Sequence, residues 1–229
     1  MKRITAILLF IFVFMLSAYA MAAPNQSANI ESARNTENLA LEAYKKVLQN
    51  KVAFCHASSF RPDEKETVYL DEYLERFREY PPKLIHFSVL DMNGDKIPEV
   101  VLEFVWGNAN YFYEVLHFYN GEVYGYHFWS VRAFGGLKAD GTFHSSGGAG
   151  DTSYNKIRFS TTSFEIYRLG YSRSRPGDNT DGSPISFFIN NEPVTEDVWD
   201  IFITEQRVKE NVVWYKISQE NIESQLSSK

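Results

Sequence analysis

Cysteine is all but missing: Cys55 is the one thiol in 229 residues. A single thiol closes no internal disulfide, so the fold must rest on its apolar core. Basic residues are in deficit too, 23 against 29 acids, for a net charge of −6. A negative field repels phosphate backbones and anionic lipid surfaces, which argues against nucleic acid and against docking to a membrane face. Neither the phosphate-cradling pattern G-x-x-x-x-G-K-[ST] nor the nucleophile pattern G-x-S-x-G occurs. The five histidines show no H-x-H or H-x-x-x-H spacing, so a zinc site is not indicated.

Long apolar runs are also missing, except at the start. Met1-Lys2-Arg3 is followed by an apolar stretch from Ile4 to Ala18 and then by Ala18-Tyr19-Ala20-Met21-Ala22-Ala23. A basic start, an apolar middle and an A-x-A end make a secretory signal peptide, here residues 1–22, with the cut after Ala20 or Ala22. An uncleaved anchor is the rival reading, because Ile4–Ala23 carries no charge and just reaches across ~30 Å of hydrocarbon. The small residues favour cleavage. Losing Lys2 and Arg3 leaves 21 basic and 29 acidic residues, net −8. The mature chain is therefore expected to be secreted or extracytoplasmic, with no membrane association once the signal is removed. About 200 residues remain, enough for one core.

What is present in abundance is aromatic residue: 18 Phe, 14 Tyr and 4 Trp. Residues 23–35 are small and polar and read as a flexible stalk, with one domain over 36–229. Asn35 or Thr36 is positioned to cap a helix whose apolar residues Ala40, Ala43, Tyr44, Val47 and Leu48 recur at helical spacing. A second helix carries Leu70, Tyr73, Leu74 and Phe77 and stops before Pro81-Pro82. Strand-like runs follow at Leu84–Leu90, Val100–Trp106, Tyr111–Tyr119 and Val123–Val131, the last two joined by Asn120-Gly121, a hairpin signal. Further runs lie at Lys156–Phe159, Ser163–Leu169 and Ile185–Ile189, and residues 171–184 read as a surface loop. Thr195 precedes a helix with Glu196 and Asp197 in its first turn, followed by a short strand at Val212–Ile217. The fold class expected is α+β, with N-terminal helices packed on an antiparallel β-meander and a C-terminal helix.

The sharpest chemical signal is Asp91-Met92-Asn93-Gly94-Asp95-Lys96-Ile97-Pro98-Glu99. Oxygen side chains stand at positions 1, 3, 5 and 9, and the Ile97 carbonyl at position 7 supplies a further oxygen, which suits calcium. D-x-N-G-D-x-x-x-E after a strand resembles the calcium loops of integrin-type FG-GAP repeats and other EF-hand-like loops. Lys96 departs from the glycine usual at position 6, and position 12 is Leu102 where a Glu is usual. The loop thus has two readings: a calcium site formed by Asp91, Asn93, Asp95, Ile97 and Glu99, or a plain Asn93-Gly94 turn. The order of V-L-D-M-N-G-D-K-I-P-E-V-V-L, F-Y-N-G-E-V-Y-G-Y, D-G-T-F-H-S-S-G-G-A, F-F-I-N-N-E-P-V-T and E-Q-x-x-K-E-N-V-V-W-Y resembles a group of small exported proteins of Gram-positive bacteria. That resemblance implies a single domain at the envelope and brings no activity with it.

Three weaker candidates complete the reading. The segment Gly141–Asp151, with Ser145, Ser146 and His144, is either an anion cradle or a small-residue turn between strands. Cys55-His56 sets a thiol beside an imidazole, but adjacent residues rarely point at each other, and catalytic pairs usually meet through the fold. The aromatics from Trp106 to Trp129 fill a core on one side of a sheet; the other side is either scattered surface or an exposed face for sugars or a protein. The function expected is an exported, non-catalytic binding or accessory module of the cell envelope, with a protein or glycan as partner. The alternative is an envelope-acting hydrolase using carboxylates such as Glu99, Glu103 and Glu114 in pairs.

Overall fold

The computed structural model describes residues 31–58, 61–77, 81–107, 110–148, 150–160, 163–174 and 185–227. Among these, two sheets and five helices stack in four layers. The seven-stranded sheet holds β1 (Phe54–Ser58), β2 (Arg61–Val68), β3 (Lys83–Leu90), β4 (Glu99–Trp106), β5 (Asn110–Tyr119), β6 (Glu122–Trp129) and β12 (Tyr215–Lys216), in the order β12-β3-β4-β5-β6-β1-β2. The five-stranded sheet holds β7 (Phe143–Gly148), β8 (Asp151–Phe159), β9 (Phe164–Arg173), β10 (Ser186–Ile189) and β11 (Glu192–Val194), in the order β11-β10-β9-β8-β7. The helices are α1 (residues 31–48), α2 (Leu70–Glu75), α3 (Ser130–Ala133), α4 (Glu196–Val208) and α5 (Gln219–Gln225). An α+β fold with N- and C-terminal helices and an antiparallel meander, β3 to β6, is what the sequence pattern leads one to expect.

Two details of the strand order depart from a simple meander. The β-branched and aromatic runs divide between two sheets, and β1 joins the first one parallel to β6, with Cys55 opposite Tyr124 and Ala57 opposite Tyr126. The hairpin β1–β2 thereby covers what would be the β6 edge, and an exposed edge invites pairing with another chain. Neither β1 nor β2 is visible as an alternating run: β2 reads Arg-Pro-Asp-Glu-Lys-Glu-Thr-Val, nearly all polar.

Because successive strand residues face opposite ways, each strand of the large sheet serves two cores. Phe54, Val100, Leu102, Phe104, Phe112 and Leu116 face the helices and meet Tyr44 and Val47 of α1, Tyr73 of α2 and Ile222 of α5. Their neighbours Val101, Val115, Tyr124, Tyr126 and Phe128 face the small sheet and meet Phe143 and Ile157. A third cluster seats Trp199 and Phe202 of α4 on Tyr154, at the far face of the small sheet. Gly170 permits this seat, since a Cβ there would lie 2.6 Å from the Phe202 ring. Lys138 holds the other end of α4, donating to the carbonyls of Arg207 and Lys209 at 3.0 and 3.2 Å.

Several sequence expectations are corrected by these elements. Residues 31–35 are already helical, so the helix begins before Asn35 and Thr36, and Thr36 Oγ1 donates to the Ser32 carbonyl as an interior residue does. The extra turn is exposed, which is why no apolar periodicity marks it. The run Val123–Val131 ends as a strand at Trp129 and turns into α3. Tyr171–Arg173 close β9 instead of opening a loop, and residues 175–184 lie outside the described residues, as do the signal segment and residues 23–30 of the stalk. An exposed aromatic sheet face is also absent among the described residues: the second sheet covers it, leaving Tyr113, Tyr124, Tyr126 and Phe128 in or against the inter-sheet core.

Candidate functional site

The loop between β3 and β4 divides the residues that the sequence groups as calcium ligands. Asp91 accepts the backbone N–H groups of Gly94 and Lys96 at 2.7 and 2.9 Å. Asn93 accepts from Asp95 N–H at 3.0 Å, and Asp95 from Ile97 N–H at 2.7 Å. Lys96 adopts φ = 72°, the left-handed turn that this position needs and that glycine usually supplies. Glu99, however, is fully buried. One of its oxygens accepts the Met92 N–H at 2.8 Å, and the other lies 3.0 Å from His117 Nδ1. Its carboxylate is thus buried and engaged by the Met92 amide and His117, whereas the side chains of Asp91, Asn93 and Asp95 bond the backbone of the turn. Among the described residues, no three or more His, Cys, Asp or Glu side chains converge as a metal cluster. The donors left at the turn are Asp91, Asn93, Asp95 and the Ile97 carbonyl.

Three acidic residues of the meander, Glu99, Glu103 and Glu114, pair with histidines. Glu99 meets His117; Glu103 meets His86 Nδ1 at 2.8 Å and the Tyr113 hydroxyl at 3.1 Å. Glu114, on the opposite face, meets His56 Nδ1 at 2.7 Å and the Tyr73 hydroxyl at 3.3 Å, and His127 Nδ1 lies 3.7 Å away. Burial acts first on Glu114 and raises its pKa; His56 and His127 outweigh it and bring the carboxyl below its ordinary value. For Glu99, burial dominates and pushes the carboxyl up to about 7. Four of the five histidines, His56, His86, His117 and His127, thus face particular carboxylates, while His144 meets the Thr152 hydroxyl, a pattern that no spacing in the sequence displays. Cys55 and His56 point to opposite faces of β1, and burial raises the Cys55 thiol.

Glu99 and Glu103 share a face of β4 but stand four residues apart, about 13 Å along the strand. Glycosidase carboxyl pairs are separated by roughly 5 to 9.5 Å. Glu114 faces the helices. Glu99 and Glu103 are therefore farther apart along β4 than such a pair, and Glu114 lies on the other face of the sheet.

A groove with open access and a polar floor lies elsewhere, on β7, β8 and β9. A groove of about 550 Å³ runs between this sheet and the turn at Arg132–Ala133, a volume that suits a small ligand. Its floor is laid by strand register. Ser145 pairs with Ser153, Ser153 with Tyr171, and Asn155 with Arg168. A bulge makes Leu169 the extra residue of β9, which is how Arg168 and Tyr171, three apart in sequence, come to share one face. Arg168 and Arg173 stand over the Tyr171 ring at 5.0 and 5.7 Å, and Phe188 stacks on that ring at 4.7 Å.

Comparison with family models, with curated proteins and with solved structures gives no match to this chain. The groove has to be read from its own chemistry. The Gly141–Asp151 segment, an anion cradle or a turn on sequence grounds, contains β7 and the first residue of β8 and contributes Ser145, Ser146, Gly147 and Asp151 to the lining. Arg168, Tyr171 and Asn155 carry no sequence signal of function; only the bulge and the pairing bring them together.

Proposed function

We propose that the protein is an exported, non-catalytic binding module of the cell envelope, with its ligand in the groove of β7–β9. The observation that carries this reading is Asn155: a nearly fully buried amide whose side chain lines an open, solvent-reached groove beside exposed arginines. Buried polar groups are normally hydrogen-bonded on all sides, so an amide kept at the floor of a groove suits recognition. Export is supported by the Met1–Ala23 pattern, and an envelope location by the likeness to small exported proteins of Gram-positive bacteria. Calcium belongs to the same proposal as a clip on the β3–β4 turn, held by Asp91, Asn93, Asp95 and the Ile97 carbonyl.

A hydrolase would require its acid and base to be reachable and close. The Glu99–His117 and Glu114–His56 pairs are buried, which favours structural roles for them. The test is hydrogen exchange on the secreted protein with and without isolated envelope polymers. Slowed exchange over Ser145–Ser153 and Arg168–Arg173 is expected. Binding that leaves these strands unchanged while protecting another surface would refute the groove as the site.

A further inference from the structure

The ligand class can be named from the groups the groove presents, on the reading that the groove is the binding site. Among the described residues, three guanidiniums, those of Arg132, Arg168 and Arg173, line it with one carboxylate, Asp151. Asp151 is engaged: its Oδ1 accepts the Ser174 N–H at 2.7 Å and the Ser174 hydroxyl at 3.1 Å. None of the three arginines forms an ion pair with an acidic side chain among the described residues. In a chain of net charge −6, where acids outnumber bases, a groove with this excess of cations is a local reversal of sign. Guanidinium groups bind carboxylate and phosphate through paired N–H donors. The Tyr171 ring holds two of them in place, which lowers the entropy lost when an anion is gripped.

The floor adds a second requirement. Asn155 donates from Nδ2 to Ser145 Oγ at 2.9 Å, and Ser145 Oγ lies 2.7 Å from Ser153 Oγ. The two hydroxyls share one hydrogen between them. Whichever of them donates, the other hydroxyl hydrogen of the pair is left over and available to the groove. The Asn155 amide oxygen accepts no hydrogen bond from a described residue and supplies an acceptor at the same place. A donor and an acceptor within one row, flanked by guanidiniums, match a ring hydroxyl next to an anionic group. We infer that the groove binds an acidic sugar, a polyhydroxylated ring bearing a carboxylate or a phosphate. The Tyr171 ring is not a stacking platform for that sugar, since Phe188, Arg168 and Arg173 already lie against it.

Isothermal titration of the full secreted protein with four probes tests this. The probes are trigalacturonate, its fully methyl-esterified form, glucose 6-phosphate and inorganic phosphate. The expected result is that trigalacturonate or glucose 6-phosphate binds at least tenfold more tightly than both the ester and inorganic phosphate, and the stronger of the two tells a carboxylated from a phosphorylated source. Arg168→Ala/Arg173→Ala should weaken that probe at least tenfold, and Ser153→Ala about threefold to tenfold, because charge-assisted hydrogen bonds outweigh neutral ones. Both arginines are exposed, so the double variant should keep its melting temperature. Equal binding of the ester would overturn the requirement for charge while leaving the groove as the site. Equal binding of inorganic phosphate would overturn the requirement for the ring. Binding of an acidic sugar that the arginine and Ser153 variants leave unchanged would overturn the groove itself, as would absence of binding by every probe together with unprotected β7–β9 in the exchange experiment.

Discussion

Glu99 and His117 meet in the inter-sheet layer, 3.0 Å apart, with the His117 ring stacked on Phe159 at 4.3 Å. Burial is the largest influence on Glu99 and lifts its carboxyl to about 7 from an ordinary 4.5, against the opposing pull of His117 and the Met92 amide. Between those two values the folded protein keeps a proton that the unfolded chain has released. Stability therefore falls as pH rises through this window, by a span on the order of 3 kcal/mol. Chemical denaturation from pH 4.5 to 7.5 on wild type and Glu99→Gln checks this. The wild type should lose stability relative to the variant as pH rises, and parallel profiles would contradict it.

Glu114 has the opposite slope. Its carboxyl is held below the ordinary value, so the stability it contributes is present above that value and is lost as pH falls through the folded pKa. Gly125 makes room for this carboxylate: a Cβ there would lie 2.4 Å from Glu114 Oε1 and 2.5 Å from the Phe54 ring. Gly125→Ala should cost about 3 kcal/mol by overpacking and by parting Glu114 from His56. A melt lowered by roughly 10 °C is expected, whereas Gly121→Ala, where a Cβ meets open space, should show only the strain of φ = 86°.

Calcium at the β3–β4 turn, as proposed, would have a measurable consequence. An ion at a hundredfold excess over its dissociation constant stabilises the fold by about 2.7 kcal/mol. Wild type should melt several degrees higher in calcium than in chelator, and Asp91→Ala/Asp95→Ala should abolish that difference. Glu99→Gln should keep it, since Glu99 faces the core. Lys96→Gly should raise stability even without calcium, by roughly 0.5 kcal/mol, because a left-handed residue with a Cβ is strained. Equal melts with calcium and with chelator would leave the loop as a turn.

Removal of the signal is checked by intact mass. Secreted protein should begin between Met21 and Pro24, as the overlapping Ala18/Ala20 and Ala20/Ala22 sites require. Only full-length, membrane-bound chain would contradict it.

The hairpin Asn120-Gly121, the four strands β3 to β6 and helix α4 with Glu196 and Asp197 in its first turn follow from local rules, because turn chemistry and residue periodicity act within a few positions. Leu70, Tyr73 and Leu74 likewise announce one face of α2, although the helix ends at Glu75, before Phe77. The oxygen spacing of Asp91, Asn93 and Asp95 is local as well, and the turn it forms keeps those three together. Tertiary structure decided what local rules do not reach. Strand parity and the cover of a second sheet buried Glu99 against His117. Long-range pairing between strands joined Glu114 to His56 across 58 residues and β1 to β6 in parallel. One extra residue at Leu169 reversed the parity of β9 and set Arg168, Tyr171 and Arg173 on the face that Ser145, Ser153 and Asn155 share. A one-residue change in register moves every later side chain to the other face of a sheet, and a sequence without its partners carries no record of it.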